Sequence, residues 1–300
     1  MIRVELKGRL GNQMFIYSFI RALQAKYPLE KIVCNITGVY DHNGYNSLLN
    51  YNIKPIDFFD ASKDDQYPLS LRQKIGCYIY SKLVKSKTYT QIFNIEKNFN
   101  ELLSYFGVFI CQNGYLTFPT KDLIPMFISG YFQSEKYFYD IREDIKRELT
   151  PKLPIMKQNL SLANKIQSEN AVCVDVRLGD YMNHPLHGVC NPDYYVKAME
   201  VIAEKVTNPI FFVFSDDIQK VQETINFKHP VVFEDGKNPD YEKMRLMSLC
   251  KHFIISNSSY SWWAQYLCQN PSKIVVAPSK WFAQEVPCAI YQESWEIVDV

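Results

Sequence analysis

Apolar residues fall in short runs, separated by stretches where they recur every three or four positions, the pattern of strands alternating with amphipathic helices. Ile2 to Leu6 predicts a strand, Gly8-Arg9-Leu10-Gly11-Asn12 a tight turn, and Met14 to Lys26 a helix carrying Phe15, Phe19, Ala22 and Leu23 on its apolar side. Pro28 stops that helix, and Lys31-Ile32-Val33-Cys34-Asn35-Ile36 supplies the next strand, completing one βαβ unit. From about Tyr40 to Thr120 the pattern blurs into a mixed, helical region in which Ser70 to Lys82 is the clearest helix. Phe127 to Phe132 reads as a strand or its exit, and Ser134 to Leu149 as a charged amphipathic helix.

Thr150-Pro151-Lys152-Leu153-Pro154 is the predicted boundary, because two prolines end the helix and stiffen the connection. Beyond it the alternation becomes regular. Strands are expected at 171–176, 210–215, 231–234, 253–256 and 273–277. Helices are expected at 191–206, opening on the cap pair Asn191-Pro192, and at 217–225, 240–250 and 258–269. Short apolar strands between helices make a parallel sheet covered on both faces. The fold class is therefore α/β, with two Rossmann-like domains, 1–150 and 151–300. A ligand cleft is expected between them, at the carboxyl ends of the strands.

Composition narrows the function classes. The 300 residues are 47% hydrophobic and 22% charged, the values of a globular protein. Lys and Arg total 33 against 32 Asp and Glu, so no global field attracts nucleic acid. No secretory leader and no 18-residue apolar window is visible, which predicts a cytoplasmic protein with at most peripheral membrane association. The eight cysteines lack any Cys-x-x-Cys pair, several lie in apolar runs, and all are read as reduced, buried thiols.

Three strand-to-helix junctions carry chemistry. Gly8-Arg9-Leu10-Gly11-Asn12-Gln13 precedes a helix N-terminus and offers an anion cradle, although many such turns hold two glycines for steric reasons alone. At Asp175-Val176-Arg177-Leu178-Gly179-Asp180-Tyr181 an arginine leaves a buried strand, where it would clasp a phosphate bidentately or pair with Asp180 to pin the loop. Asn257-Ser258-Ser259-Tyr260-Ser261 offers hydroxyls and free N–H groups at a helix start, suited to a phosphate and equally to ordinary capping. Trp262 and Trp263 are expected to pack that helix on the sheet. Asp216-Asp217 reads as a helix start rather than a metal motif, and no histidine pair has ligand spacing, so no metal and no cofactor is expected. His184 and His187 lie in the loop after Tyr181 and are weak acceptor-side candidates.

With these junctions quoted, the chain resembles the α-1,2-fucosyltransferases of glycosyltransferase family 11 over nearly its whole length. Gly8 to Phe15 is similar to the family's N-terminal Gly-Gly-Leu-Gly-Asn-Gln-Met-Phe, Gly130 to Phe138 resembles its mid-chain motif, and Cys250 to Leu267, ending in Ser258-Ser259-Tyr260-Ser261-Trp262-Trp263-Ala264, resembles its C-terminal one. The resemblance implies a GT-B architecture with an acceptor-side N-terminal domain and a C-terminal domain for the nucleotide sugar. It also implies metal-independent, inverting transfer, with L-fucose moved from GDP-fucose to the 2-hydroxyl of a galactoside in bacterial polysaccharide or O-antigen assembly. The acceptor would be a galactoside-containing glycan or a lipid-linked oligosaccharide.

Arg177 falls on the first arginine of the family's His-x-Arg-Arg-Gly-Asp-Tyr, expected at the donor's β-phosphate. Gly11, Asn12, Ser258, Ser259 and Tyr260 fall on the other diphosphate-side motifs, with Arg9 beside them. Two departures stand out. Asp175 replaces the family's histidine and Leu178 its second arginine. A family aspartate facing the guanine falls on Lys243, with Asp240 and Glu242 close enough to substitute. An ammonium only donates, so a Lys243 facing the base would suit a pyrimidine carbonyl better than guanine. The alternatives are thus a relative using another nucleotide sugar (GDP-colitose-like, or a UDP- or dTDP-sugar) or a catalytically inactive sugar-binding relative. For the general base the candidates are Asp180 and His184.

Overall fold

Two all-parallel sheets organise the chain, one in each of two units, in the computed structural model, which describes residues 1–40, 44–119, 125–178 and 184–300. The first unit comprises Met1–Leu49, Ile53–Glu148 and Glu285–Tyr291; the second comprises Asn50–Asn52, Leu149–Gln284 and Gln292–Val300. Residues 50–52 join the second unit because Tyr51 bridges Pro151 and the Asn52 N–H donates to the Thr150 carbonyl at 3.0 Å.

In the first unit, β1 (Ile2–Glu5) leads through helix α1 (Leu10–Lys26) to β2 (Ile32–Asn35), the short α2 (Thr37–Tyr40) and β3 (Asp57–Phe59). Helices α3 (Leu71–Val84), α4 (Tyr89–Asn98) and α5 (Asn100–Tyr105) precede β4 (Val108–Cys111) and β5 (Met126–Gly130), and α6 (Arg142–Glu148) closes the unit. The strand order is β3-β2-β1-β5-β4. Helix α1 starts four residues earlier than its apolar spacing predicts. Only Gly8 takes a left-handed backbone, φ +74°, and Arg9 stays extended as the cap, so Gly11 and Asn12 belong to the helix's first turn rather than to the loop. Gly8 is also sterically required, since a Cβ there would lie 2.6 Å from the Asn12 amide.

The expected helix from Ser134 to Leu149 is instead two 3₁₀ turns, Glu135–Tyr137 and Tyr139–Ile141, followed by α6. Buried aromatics set this path. Phe132 stacks on Phe19 at 4.0 Å, Tyr137 meets Phe19 edge-on at 5.2 Å, and Phe138 packs near Phe15 at 6.3 Å. A continuous helix would turn one of these rings away from α1.

In the second unit, α7 (Leu160–Ser168) precedes β6 (Asn170–Val176), α8 (Pro192–Lys205), β7 (Pro209–Ser215), α9 (Ile218–Thr224) and β8 (Val231–Phe233). Then come α10 (Asp240–Ser248), β9 (His252–Ile254), α11 (Ser259–Leu267), β10 (Val275–Pro278) and β11 (Glu296–Val298), in the order β11-β10-β9-β6-β7-β8. The Asn191 side chain caps α8 by accepting from the Tyr194 N–H at 2.9 Å. Trp262 and Trp263 are fully buried, as packing of α11 on the sheet demands. All eight cysteines are free thiols, but only five are buried: Cys77 and Cys190 are half-buried and Cys288 is exposed.

Candidate active site

In the second sheet the chain runs outward from β6 through β7 to β8, then returns to the other side of β6 for β9, β10 and β11. The direction reverses between β6 and β9, so their helical connections diverge and leave a crevice at the carboxyl ends. The predicted residues Asp175, Arg177, Ser258, Ser259 and Tyr260 all sit at the ends of these two strands or just beyond.

Asp175 is a buried carboxylate, 3% exposed, one residue before the end of β6. Its Oδ2 accepts from the hydroxyls of Ser256, at 3.2 Å, and Ser261. Burial pushes its carboxyl above the usual range, while the Arg177 guanidinium and the Ser261 hydroxyl hold it back. These bonds tie the first turn of α11 to β6. They fix the helix start on which Ser258 caps by accepting from the Tyr260 N–H at 3.2 Å. The Tyr260 hydroxyl in turn donates to the Asp240 carbonyl at 2.6 Å, joining α11 to the first turn of α10.

Arg177 leaves β6 with its guanidinium 3.6 Å from the Asp216 carboxylate, both side chains largely covered at 17% and 24% exposure. Asp180, its alternative partner from the sequence, lies outside the described residues, as do Gly179 and Tyr181. Asp216 was legible only as half of a helix start. Its neighbour Asp217 does cap α9, accepting from the Lys220 N–H at 3.0 Å. Leu178, where the resembling family has an arginine, is fully buried in the core with Tyr194 and Tyr195. Its carbonyl accepts from the Lys220 ammonium at 3.0 Å. Among the described residues no three His, Cys, Asp or Glu side chains are grouped so as to hold a metal ion.

Lys243 has an internal occupation. Its ammonium donates to the Ser215 carbonyl at 2.9 Å and lies 3.5 Å from Glu234, which is 2% exposed. Glu234 also accepts from Asn238 at 2.7 Å. Glu242 is wholly buried and accepts from the Met156 N–H at 2.8 Å and from Asn159 at 3.1 Å. It holds the start of the second unit together and cannot stand in as a reader of a bound base. Nothing in the local sequence marks Glu234 as the partner of Lys243.

His184 and His187 have rings 4.6 Å apart. The His184 Nδ1 accepts from the Leu186 N–H at 3.2 Å, and the His187 carbonyl accepts from the Asn257 amide at 3.0 Å. Their loop is thus fastened to the segment that precedes α11.

The first sheet reverses between β1 and β5. Asn12, from the predicted N-terminal motif, accepts from the Gln133 amide at 2.7 Å across that point. Arg9 is exposed at the cap of α1, and Gly11 is buried in the helix. Beside them is a cluster that periodicity did not show. The Lys7 ammonium donates to the Gln112 side chain at 2.6 Å and lies over the Tyr131 ring at 4.3 Å. Glu96 accepts from the Tyr80 hydroxyl at 2.6 Å and from the Gln112 N–H at 3.1 Å. Burial pushes Glu96 up to about 7 and Lys7 down to about 8.

The profile described as "Glycosyl transferase family 11" matches residues 1–299. An alpha-1,2-colitosyltransferase of Escherichia coli is 28% identical over 95% of this chain and 93% of its own. The O-antigen biosynthesis glycosyltransferase WbnK of Escherichia coli is 28% identical over 97% and 98%. A human galactoside alpha-(1,2)-fucosyltransferase is 26% identical over 47% of this chain and 42% of its own. The fucosyltransferase NodZ from Bradyrhizobium superposes with a TM-score of 0.53 at 14% identity, over 88% of this chain and 92% of that one. That likeness is one of fold: two Rossmann-like α/β units of the GT-B class.

Proposed function

The chain belongs to glycosyl transferase family 11, and from that premise we propose that it is a metal-independent, inverting α-1,2-fucosyltransferase using GDP-fucose. The acceptor is the 2-hydroxyl of a galactoside, within a glycan or a lipid-linked oligosaccharide of polysaccharide or O-antigen assembly. The C-terminal unit takes the nucleotide sugar, and the N-terminal unit takes the acceptor. The observation that carries this reading is the placement of Arg177 and the N-terminus of α11 at the switch point of the second sheet.

As the glycosidic bond breaks, negative charge builds on the departing diphosphate. The Arg177 guanidinium and the N–H groups at the start of α11 would meet that charge, in place of a metal ion. Asp175 touches no phosphate in this scheme. It holds Arg177 by charge and the helix start by its two serine bonds, so that neither must reorganise when the donor arrives. The Lys243 ammonium, spent on Ser215 and Glu234, leaves no reason to prefer a pyrimidine. An internally bonded Lys243 supports keeping a guanine nucleotide first.

The relative named as a colitosyltransferase favours a second reading, in which the donor sugar is a colitosyl group. Calorimetric titration with GDP, UDP and dTDP tests the nucleotide first. GDP alone should bind, and pyrimidine binding with no response to GDP would end the assignment. Turnover with GDP-fucose and GDP-colitose then separates the two sugars.

A further inference from the structure

The strongest feature unused by the reaction is the outer face of α3. Ser70 and Gln73 form a capping box at its N-terminus, and Gln73 and Gly76 line its buried side. Gly76 brings the helix backbone so close that a Cβ would lie 2.7 Å from Phe106. The helix is therefore capped at its start and anchored on one side. Its opposite side carries Leu71, Ile75 and Tyr78, spaced i, i+4 and i+7, and all are exposed, Leu71 by 76% and Tyr78 by 62%. Tyr105 of α5, 66% exposed, extends this stripe, with the Arg72 guanidinium 4.4 Å above its ring.

Charge is as uneven as polarity. Residues 66–95 hold Arg72, Lys74, Lys82, Lys85 and Lys87 and no acidic residue, while the rest of the chain nets −4. Lys74 edges the apolar stripe, and Lys82 ends it one turn after Tyr78, its ammonium 5.1 Å from the centre of the Tyr78 ring. An apolar stripe edged by lysines is the pattern of a helix lying in a bilayer interface, with tyrosines at headgroup depth and ammonium groups reaching the phosphates. A nucleic acid would match the charge but not the exposed leucine and isoleucine. Among the described residues no helix is long and apolar enough to cross a membrane.

We propose that the outer face of α3, with Tyr105 beside it, docks the protein on an anionic phospholipid bilayer. The bound orientation would hold the transferase where a lipid-linked acceptor is displayed, but the surface is defined independently of donor and acceptor.

Sedimentation with vesicles tests it, using the full chain and no substrate. Vesicles of phosphatidylcholine mixed with phosphatidylglycerol should carry the protein down, vesicles of phosphatidylcholine alone should not, and added salt should release it. Each basic residue at such a surface is worth about fivefold in partitioning. K82E/K85E/K87E should therefore lower partitioning by on the order of a hundredfold or more, and Ile75→Ser with Tyr78→Ser should weaken it while leaving the salt dependence. Both variants should unfold at the wild-type temperature and keep full transfer to a soluble acceptor, which separates this proposal from the transferase reading. No binding to the mixed vesicles would overturn it, and so would variants that bind like the wild type. A change from dimer to monomer in the serine variant, seen by size-exclusion chromatography, would assign the stripe to a second copy of the chain instead.

Discussion

Arg177→Ala should separate two contributions that the structure places within 3.6 Å of each other. A guanidinium on a diphosphate makes two charge-assisted hydrogen bonds, each worth about 1.5–3 kcal/mol. Losing both costs roughly 3–6 kcal/mol, or about 10²–10⁴ in kcat/KM. The Asp216 carboxylate adds a second penalty. With Arg177 gone, less positive charge offsets that carboxylate, and two like charges about 6 Å apart at an effective dielectric of about 20 repel by ~3 kcal/mol. The double variant Arg177→Ala, Asp216→Asn should therefore recover about tenfold or more over Arg177→Ala. Arg177→Lys should recover less, because a point charge replaces a planar fork. Initial rates of GDP release at varied donor concentration measure all three, with a thermal melt to confirm folding. A folded Arg177→Ala enzyme keeping more than about a tenth of wild-type kcat/KM would refute the phosphate role. No gain from the added asparagine would refute the account of Asp216.

Three further outcomes are expected. Glu96, raised from its ordinary 4.5 to about 7, destabilises the fold by ~3 kcal/mol once ionised. The stability difference between wild type and Glu96→Gln should thus shrink or reverse against the wild type as pH rises from 5 to 7.5 in urea unfolding, and a pH-independent difference would contradict the burial of that charge. Lys243→Met leaves the Glu234 carboxylate buried without its cation and should cost about 3 kcal/mol; adding Glu234→Gln should restore most of it, whereas unchanged stability with altered nucleotide affinity would return Lys243 to the base. Chelator at saturation should leave the transfer rate unchanged, and a rate restored by manganese or magnesium would show that a metal serves the diphosphate.

Regular alternation made the second unit readable. Most of its strands are apolar runs, and helices such as α8 and α9 open on the caps Asn191 and Asp217, so these elements are marked locally; α7, with no side-chain cap, and the three-residue β11 are not. The first unit was harder because β3 and β4 are short and sit in a region whose helices leave apolar faces exposed. Its aromatic-directed turns after Phe132 depend on contacts to α1, more than a hundred residues away in the chain. That Arg177, Ser258 and Tyr260 come together was legible because strand-to-helix junctions in a parallel sheet converge at one edge. The occupations of Asp175 and Lys243 were not, since each depends on a partner from another strand end: Ser256 and Ser261 for one, Glu234 for the other.

The path of the chain between units bears on how such proteins can be taken apart or recombined. Residues 50–52 belong with the second unit and 285–291 with the first. A single cut at 150 therefore deprives each half of a piece of itself: the C-terminal fragment loses the Tyr51 that bridges Pro151, and the N-terminal fragment loses the segment whose Glu285 carbonyl accepts from Thr90 at 3.1 Å. Exchanging one half with a relative would require several splice points in register. If the donor binds as proposed, its preference is more readily altered by substitutions at one sheet edge than by shuffling whole halves.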